Sequence, residues 1–515
     1  MRLFDFLDKA VNANADAIAV RYRETKISYR ELQSCSRRIA NALRSEGLES
    51  GARVAIWAPN HPMFFACQFG VHRTPYVWIA LSPKSTVGEV VSLLSGTNVE
   101  CMFLHSDFIA HIETVRHAVS SLRKVICIDE APVSVHLLTD WLKDVNNTVN
   151  DTDVRPNDIV MLRNTGGSTG RPKSVMRPSI AWATTIADYA SALPYDTRPI
   201  NLIVTPLSHV SGEIAMSIFA VGGEQIIHED TDPRSILQAI EQFSVTTLFL
   251  PPTLIYSILA LPEAGSFDLS SLRYVMYGSM PMSVNRLKDA WRLFGPVMTQ
   301  LYGLSESAST TSILSPIEHG LALKHDVGRL ASCGRGGPNS MVDVVDTDGC
   351  SLAPNQRGEI VSRSLNLMLG YLDNPEETAH TLRDGRLHTG DIGYRDVHGY
   401  IYIVDRLKDI IISGAFNIYP SEIEQVIWTH PAIQDCAVIG VPDEKWGEAV
   451  TAVVELKIGM QLQETELIDY CKKALGSIKA PKNVVIWETL PKSAFGKVLK
   501  KDIRAQFWKG KNRVI

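Results

Sequence analysis

Thr165-Gly-Gly-Ser-Thr-Gly-Arg-Pro-Lys173 is the stretch on which the reading of this chain turns. Gly166, Gly167 and Gly170 let a backbone approach an anion closely and turn where a β-carbon would clash. Thr165, Ser168 and Thr169 add hydroxyl donors, and Lys173 adds a point charge. The apolar run Asp158-Ile-Val-Met-Leu162 before it reads as a strand, so the loop leaves a strand end. The combination suits a phosphate. A Walker loop requires glycine directly before its lysine, and Pro172 stands there instead, so that reading is excluded. A plain Gly/Ser surface turn accounts for the glycines but not for the motifs on their C-terminal side.

Further on come Pro206-Leu-Ser-His209-Val-Ser-Gly212, Tyr302-Gly-Leu-Ser-Glu306 and Leu387-His-Thr-Gly-Asp391. Asp405-Arg-Leu-Lys408-Asp409 comes next, with Ser413-Gly414 and Glu422-Ile-Glu424, and then Pro491-Lys-Ser-Ala-Phe-Gly-Lys497. Together with the glycine-rich loop these resemble, in order, the motifs of the adenylate-forming enzymes. That superfamily includes acyl-CoA synthetases, peptide-synthetase adenylation domains and luciferases. Each short pattern recurs by chance; six in the same order over most of the chain do not. Two departures stand out: Ser174 replaces the glycine that usually ends the loop motif, and Leu387 replaces a tyrosine.

Bulk properties agree with a globular enzyme. The 515 residues suffice for two or three domains, with 45% apolar and 21% charged content. A net charge of −5 gives no electrostatic case for nucleic acid or an anionic membrane. The basic end, Lys497 to Arg513, reads as a solvated helix face. Eight scattered cysteines form no C-x-x-C pair, which speaks against zinc or a disulfide framework and suits the cytoplasm. The N-terminus lacks the apolar core of a secretory signal, and no run is long enough for a membrane span. The sequons at Asn146 and Asn150 are therefore read as chance matches.

Helical and strand-like runs alternate. Ser28 to Leu43 has helical spacing behind a serine cap. Arg53 to Trp57, Lys124 to Ile128, Leu202 to Thr205, Thr246 to Leu250 and Tyr274 to Tyr277 read as short strands. The pattern predicts an α/β fold with mostly parallel sheets flanked by helices. From Val342 to Val361 and Gly399 to Val404 the texture is β-rich, with Asp346-Thr-Asp-Gly349 as a hairpin turn. Beyond a boundary at 405/406 the runs Glu422–Ile427 (helix), Ile433–Val441 and Val450–Leu456 (strands) and Glu464–Ala474 (helix) predict a small α+β domain. The resemblance implies a large N-terminal domain, 1–405, that binds acid and ATP. It also implies a mobile C-terminal domain, 406–515, carrying a catalytic lysine.

Activating a carboxylate as an acyl-adenylate concentrates negative charge at the α-phosphate, so cations, a divalent metal and oriented donors are needed. The resemblance implies Glu306 as the Mg²⁺ ligand and Ser305 as a donor to the α-phosphate. Asp391 and Arg406 would take the ribose, and Ser279-Met280-Pro281 with Tyr302 and Gly303 the adenine. Lys173 would meet the phosphates, and Lys497 would bridge carboxylate and α-phosphate in attack geometry. His209 would line the carboxylate end of the acid pocket as a gate, and Lys408 would be the hinge. Taken singly, Glu306 reads equally as a helix-start acid, Asp391 as a turn aspartate and Lys497 as a tail lysine.

His209, Ser211, Ile214, Ala215, Ser279, Met280, Met282, Gly303 and Ala308 are the expected acid-pocket lining. They offer no cation for a second carboxylate, which implies an apolar monocarboxylic acid: medium-chain, alicyclic or aromatic. Coenzyme A leads as acceptor, and an amino acid, as in the coronafacate-ligase-like amide synthetases, comes second. A separate carrier-protein thiol is third. Ala415, where relatives often carry glycine, would narrow a thiol channel. A non-catalytic sensor of nucleotide or acid has no need of Lys173, Glu306, Asp391, Arg406 and Lys497 together.

Overall fold

Short apolar strands, each leading into a helix, build two large sheets within residues 1–342 and 362–387, the first of two units. The computed structural model describes residues 2–130, 132, 135–148, 150–165 (Thr165 by its backbone), 173–308, 310–414, 416–492 and 498–509. One sheet has nine strands, and its inner members run parallel: Met298–Tyr302, Tyr274–Gly278, Thr247–Phe249, Ile200–Ile203, Glu224–Ile227 and Ile18–Tyr22. The other has eight strands. Six are parallel, from Ile159–Thr165 through Val77–Ala80 and Arg53–Trp57 to His136–Leu137. Lys173–Pro178 and Gly370–Tyr371 close its edge antiparallel.

Parallel neighbours need crossover helices, which bury both sheet faces. Val20, Val54, Ile56, Ile203 and Ile227 from the two sheets share one cluster with Leu32, Phe65 and Phe219. These come from the helices Tyr29–Ser45, Pro62–His72 and Val210–Ala220, which form the layer between the sheets. Ile236, Ile240 and Leu287 cover the outer face of the nine-stranded sheet. Val90, Leu94 and Val115 cover that of the other. The predicted α/β class is what forms, in five layers.

The predicted elements appear with shifts of one to three residues at most ends. Ser28 caps its helix by accepting from the Glu31 amide, while the Glu31 carboxylate accepts from the Ser28 amide at 2.7 Å. The second unit, 343–361 with 388–515, contains the hairpin turn, with Gly349 at φ 81° and its amide on the Asp346 carbonyl. Its C-terminal sheet alternates cleanly. Cys436 and Val438 face the helices Pro420–Ile427 and Glu464–Lys479, whereas Ala437 and Ile439 face Ile503 and Leu490. Two pieces escape the sequence reading: the parallel strand Asn483–Trp487 and the hairpin of Ile411–Ser413 with Phe416–Ile418.

The basic end requires a correction. Lys500–Phe507 is a helix, but one side of it is not a solvated face. Ile503 is fully buried, the Lys500 ammonium lies 2.8 Å from the Glu424 carboxylate, and Arg504 lies 2.9 Å from Asp409. Cationic side chains bury here because carboxylates wait for them.

Two core imidazoles make stability depend on pH. His72 packs edge-on against the stacked rings of Trp78 and Trp182, with neither ring nitrogen partnered among the described residues, and burial pushes its pKa down to about 3. Burial pushes His319 down to about 4, although the Ser315 carbonyl opposes it. The unfolded chain protonates both near 6.5, so their contribution is complete above that pH and is lost as pH falls toward 4 and then 3. The slope is at most about 1.4 kcal/mol per pH unit for each group. Thermal scans should therefore show Tm falling from pH 7 to pH 5, less steeply in His72→Phe; a flat profile would contradict neutral burial.

Candidate active site

The antiparallel pair Ile159–Thr165 and Lys173–Pro178 sets Thr165 opposite Lys173, so both ends of the glycine-rich loop are held in register. Gly166, Gly167, Ser168, Thr169 and Gly170 themselves lie outside the described residues. The Lys173 ammonium pairs with the Glu377 carboxylate and sits 5.2 Å from the centre of the Tyr371 ring. Tyr371 belongs to the edge strand and lies opposite Val175. Its hydroxyl donates to Glu306 Oε1 at 2.7 Å. Burial, and then the Glu306 charge, hold that phenol well above its ordinary pKa, so it remains a donor.

Glu306 stands in the 3-10 turn Ser305–Ser307, which is fastened on three sides. Its carbonyl accepts from the Met368 amide at 2.8 Å. The Ser305 carbonyl accepts from Arg177 Nε and Nη2 at 3.1 and 3.0 Å. The Leu304 amide donates to Ser307 Oγ at 3.1 Å. A cation, a carboxylate and the tyrosine that touches both thus meet at the edge of one sheet.

The expected adenine segment starts where two neighbouring parallel strands end. Gly278 pairs with Leu301, and a β-carbon at Gly278 would stand 2.4 Å from the Leu301 carbonyl oxygen. Only glycine fits, and Ser279 then turns with φ 68°. Met280 and Pro281 therefore emerge beside Tyr302 and Gly303 at the carboxyl ends of the strands, the usual place for ligands in α/β sheets.

His209 begins the helix Val210–Ala220, and its Nδ1 lies 2.8 Å from Ser208 Oγ. A β-carbon on Gly212 would fall 2.0 Å from the Leu207 carbonyl oxygen, which is why the motif ends in glycine. Burial pushes His209 down to about 3, with the charges of Arg163 and Lys84 adding to it. It is a neutral imidazole at any working pH. Of the expected acid-pocket residues, Ile214, Ala215 and Met282 are buried, each in a different hydrophobic cluster.

In the second unit Asp391 lies in the strand Arg386–Arg395 directly opposite Arg406, and Oδ1 meets Arg406 Nε at 2.6 Å. The His-Thr-Gly-Asp segment is therefore strand, not a separate turn, with Gly390 at φ 67° inside it. Lys408 occupies the 3-10 turn Leu407–Asp409. Burial alone would raise the neighbouring Asp409 carboxyl, but Lys500 and Arg504 outweigh it and hold it low. Ala415 and Lys497 lie outside the described residues.

Residues 7–372 match the family model of the AMP-binding enzyme, and 422–497 that of the AMP-binding enzyme C-terminal domain. The chain belongs to the AMP-binding enzyme family. It is 33% identical to the medium/long-chain-fatty-acid–CoA ligase FadD8 of Mycobacterium tuberculosis, over 96% of this chain and 88% of that protein. It is 34% identical to a feruloyl-CoA synthase of Amycolatopsis sp, over 95% and 96%. Among solved structures it resembles the amide bond synthetase McbA of Marinactinospora thermotolerans, with a TM-score of 0.89 and 28% identity over 98% and 100%.

Three residues that touch the motif residues of this AMP-binding enzyme escaped the sequence reading: Arg177, Tyr371 and Glu377. Arg177 left one signal, a charge directly after the apolar pair Val175-Met176. Tyr371→Phe keeps the ring beneath Lys173 and removes the donor to Glu306. Its adenylation rate should fall about tenfold, the loss expected for one hydrogen bond to a charged group. Pyrophosphate exchange measures this; a wild-type rate would remove Tyr371 from the site.

Proposed function

We propose that the protein activates an apolar monocarboxylic acid with ATP and passes the acyl group to coenzyme A. One observation carries this: Lys173, Tyr371 and Glu306 are physically connected at the end of the glycine-rich loop. A carboxylate oxygen attacks the α-phosphorus, the α–β phosphoanhydride bond breaks, and pyrophosphate leaves. The thiol sulfur then attacks the acyl carbon and gives up its proton, the acyl–oxygen bond breaks, and AMP leaves.

Lys173 is assigned to the phosphates, with Glu377 holding the ammonium at the loop's mouth. Glu306 suits Mg²⁺, because Tyr371 takes Oε1 and the second oxygen remains to a hard cation. Among the described residues no group of three His, Cys, Asp or Glu is placed to hold a metal, so nucleotide oxygens would complete the shell. Mg²⁺ bound there would neutralise the charge developing on the phosphates. Asp391 and Arg406 are the ribose pair. Lys497 is the catalytic cation, and Lys408 is the hinge between functional domains 1–405 and 406–515. His209, held neutral, acts as a gate and not as a base, since the acid is already ionised.

The curated relatives favour coenzyme A and an apolar or aromatic acid, through the acids named for FadD8 and the feruloyl-CoA synthase. The likeness to McbA supports a second reading, transfer to an amine. A cytoplasmic setting is supported by eight free cysteines; among the described residues no helix is long and apolar enough to cross a membrane.

Incubation with ATP, Mg²⁺ and a panel of apolar acids, with coenzyme A in one set and mixed amino acids in the other, decides the acceptor by mass spectrometry. Acyl-CoA in the first set alone is the expected result; an N-acyl amino acid without coenzyme A would establish the second reading. Lys497→Ala should lose about a hundredfold or more in adenylation while keeping its Tm. Wild-type turnover by that variant would sink the mechanism.

A further inference from the structure

A buried ion triad lies beside the site, and none of its members is in the motifs that identify the chemistry. Glu213 sits one helical turn after His209 with 2% of its surface exposed. Its Oε1 accepts from Nη1 of both Arg163 and Arg177. Arg163 stands two residues before Thr165 on the outgoing strand, and Arg177 stands four after Lys173 on the returning one. Register places Arg163 opposite Val175 and Met161 opposite Arg177, so the two arginines are diagonal neighbours on one face. Arg177 spends its remaining nitrogens on the Ser305 carbonyl. Glu213 is thus the common anchor of the strand entering the glycine-rich loop, the strand leaving it, and the turn carrying Ser305 and Glu306.

We infer that Glu213, acting through Arg163 and Arg177, is a positioning residue that fixes the Ser305–Glu306 turn relative to the strands Ile159–Thr165 and Lys173–Pro178. Apolar side chains of similar volume would fill this space without desolvating three charges. What the triad supplies is direction: a guanidinium is a rigid planar fork, and Arg177 grips the carboxylate with one edge and the turn's backbone with the other. With the Glu213 charge removed, two buried guanidiniums face each other uncompensated, and the Arg177 fork no longer has a fixed end. The Ser305 carbonyl then loses its grip, and Glu306 its place.

The inference rests on the adenylation reading for its functional consequence but not for its structural one, so two readouts are used on the full-length protein. The variants are Glu213→Gln, which keeps shape and removes charge, and Arg177→Lys, which keeps charge and removes the fork. In hydrogen–deuterium exchange, each should speed exchange of the peptide covering 303–308 about tenfold, leaving the helix Pro316–His325 unchanged. The double variant should be no faster than the single ones, because one linkage is broken either way. In pyrophosphate exchange, kcat should fall at least about tenfold while KM for the acid stays within about twofold.

Unchanged exchange at 303–308 in both variants overturns the inference, as does a double variant whose effects multiply. If Glu213→Gln does not fold, Arg177→Lys alone must still loosen 303–308, or the inference fails. A wild-type protein inactive in pyrophosphate exchange would count against the adenylation reading alone, since the deuterium result stands by itself.

Discussion

The pairing register of Ile159–Thr165 with Lys173–Pro178 is the constraint on which the site depends. Side chains alternate across a strand, so register decides which residues share a face. Arg163, Lys173, Val175 and Arg177 fall on one side. Leu162 and Met176 fall on the other, where they pack with Val90 and Leu94, and Asn164 meets Ser174 at 2.7 Å. A slip of Lys173–Pro178 by one residue would drive Lys173 and Arg177 into that aliphatic layer and turn Met176 to the opposite face. The cost of burying an unpaired cation makes such a slip prohibitive, so the charges themselves help to enforce the register.

Several cations of this protein are buried where a carboxylate has been placed to receive them. Arg73, fully buried, meets Asp8 and Asp151. Lys500 meets Glu424, whose carboxyl burial keeps raised, although Lys500 and the Val438 amide oppose that. The residues proposed to meet phosphate and metal differ in kind. Lys173 and Glu306 are only half-buried, and each keeps one partner while retaining capacity for another. Polar groups that must exchange partners during turnover sit at the sheet edge; those that must not sit in the layers behind it.

Much of this was legible in the sequence because the family's chemistry is written in short contiguous motifs. Lys173, His209, Tyr302, Glu306, Asp391 and Arg406 all sit in such motifs, and the glycines among them report close backbone approaches, as at Gly278 and Gly212. The strand-and-helix alternation was legible for the same local reason. What could not be read were contacts made across sequence distance. Tyr371 reaches Glu306 across 65 positions and Glu213 reaches Arg177 across 36; Glu213 stands out as the one charge in an apolar helix, but nothing near it in sequence says what it meets. The pocket residues are a different case: helix periodicity identifies an apolar face but not whether substrate or core lies against it. The strand Asn483–Trp487 was hidden because it is buried on one side only and has charged neighbours.

Asp409 and Arg504 are 95 positions apart yet form one ion pair, and Glu424 with Lys500 binds the same helix a second time. Inheritance of this region is therefore indivisible. A recombination point anywhere between 424 and 500 would take both pairs from different parents, and a parent lacking one of the four charges would leave its partner buried and unpaired. Exchange of modules is least constrained outside the stretch from Asp409 to Arg504.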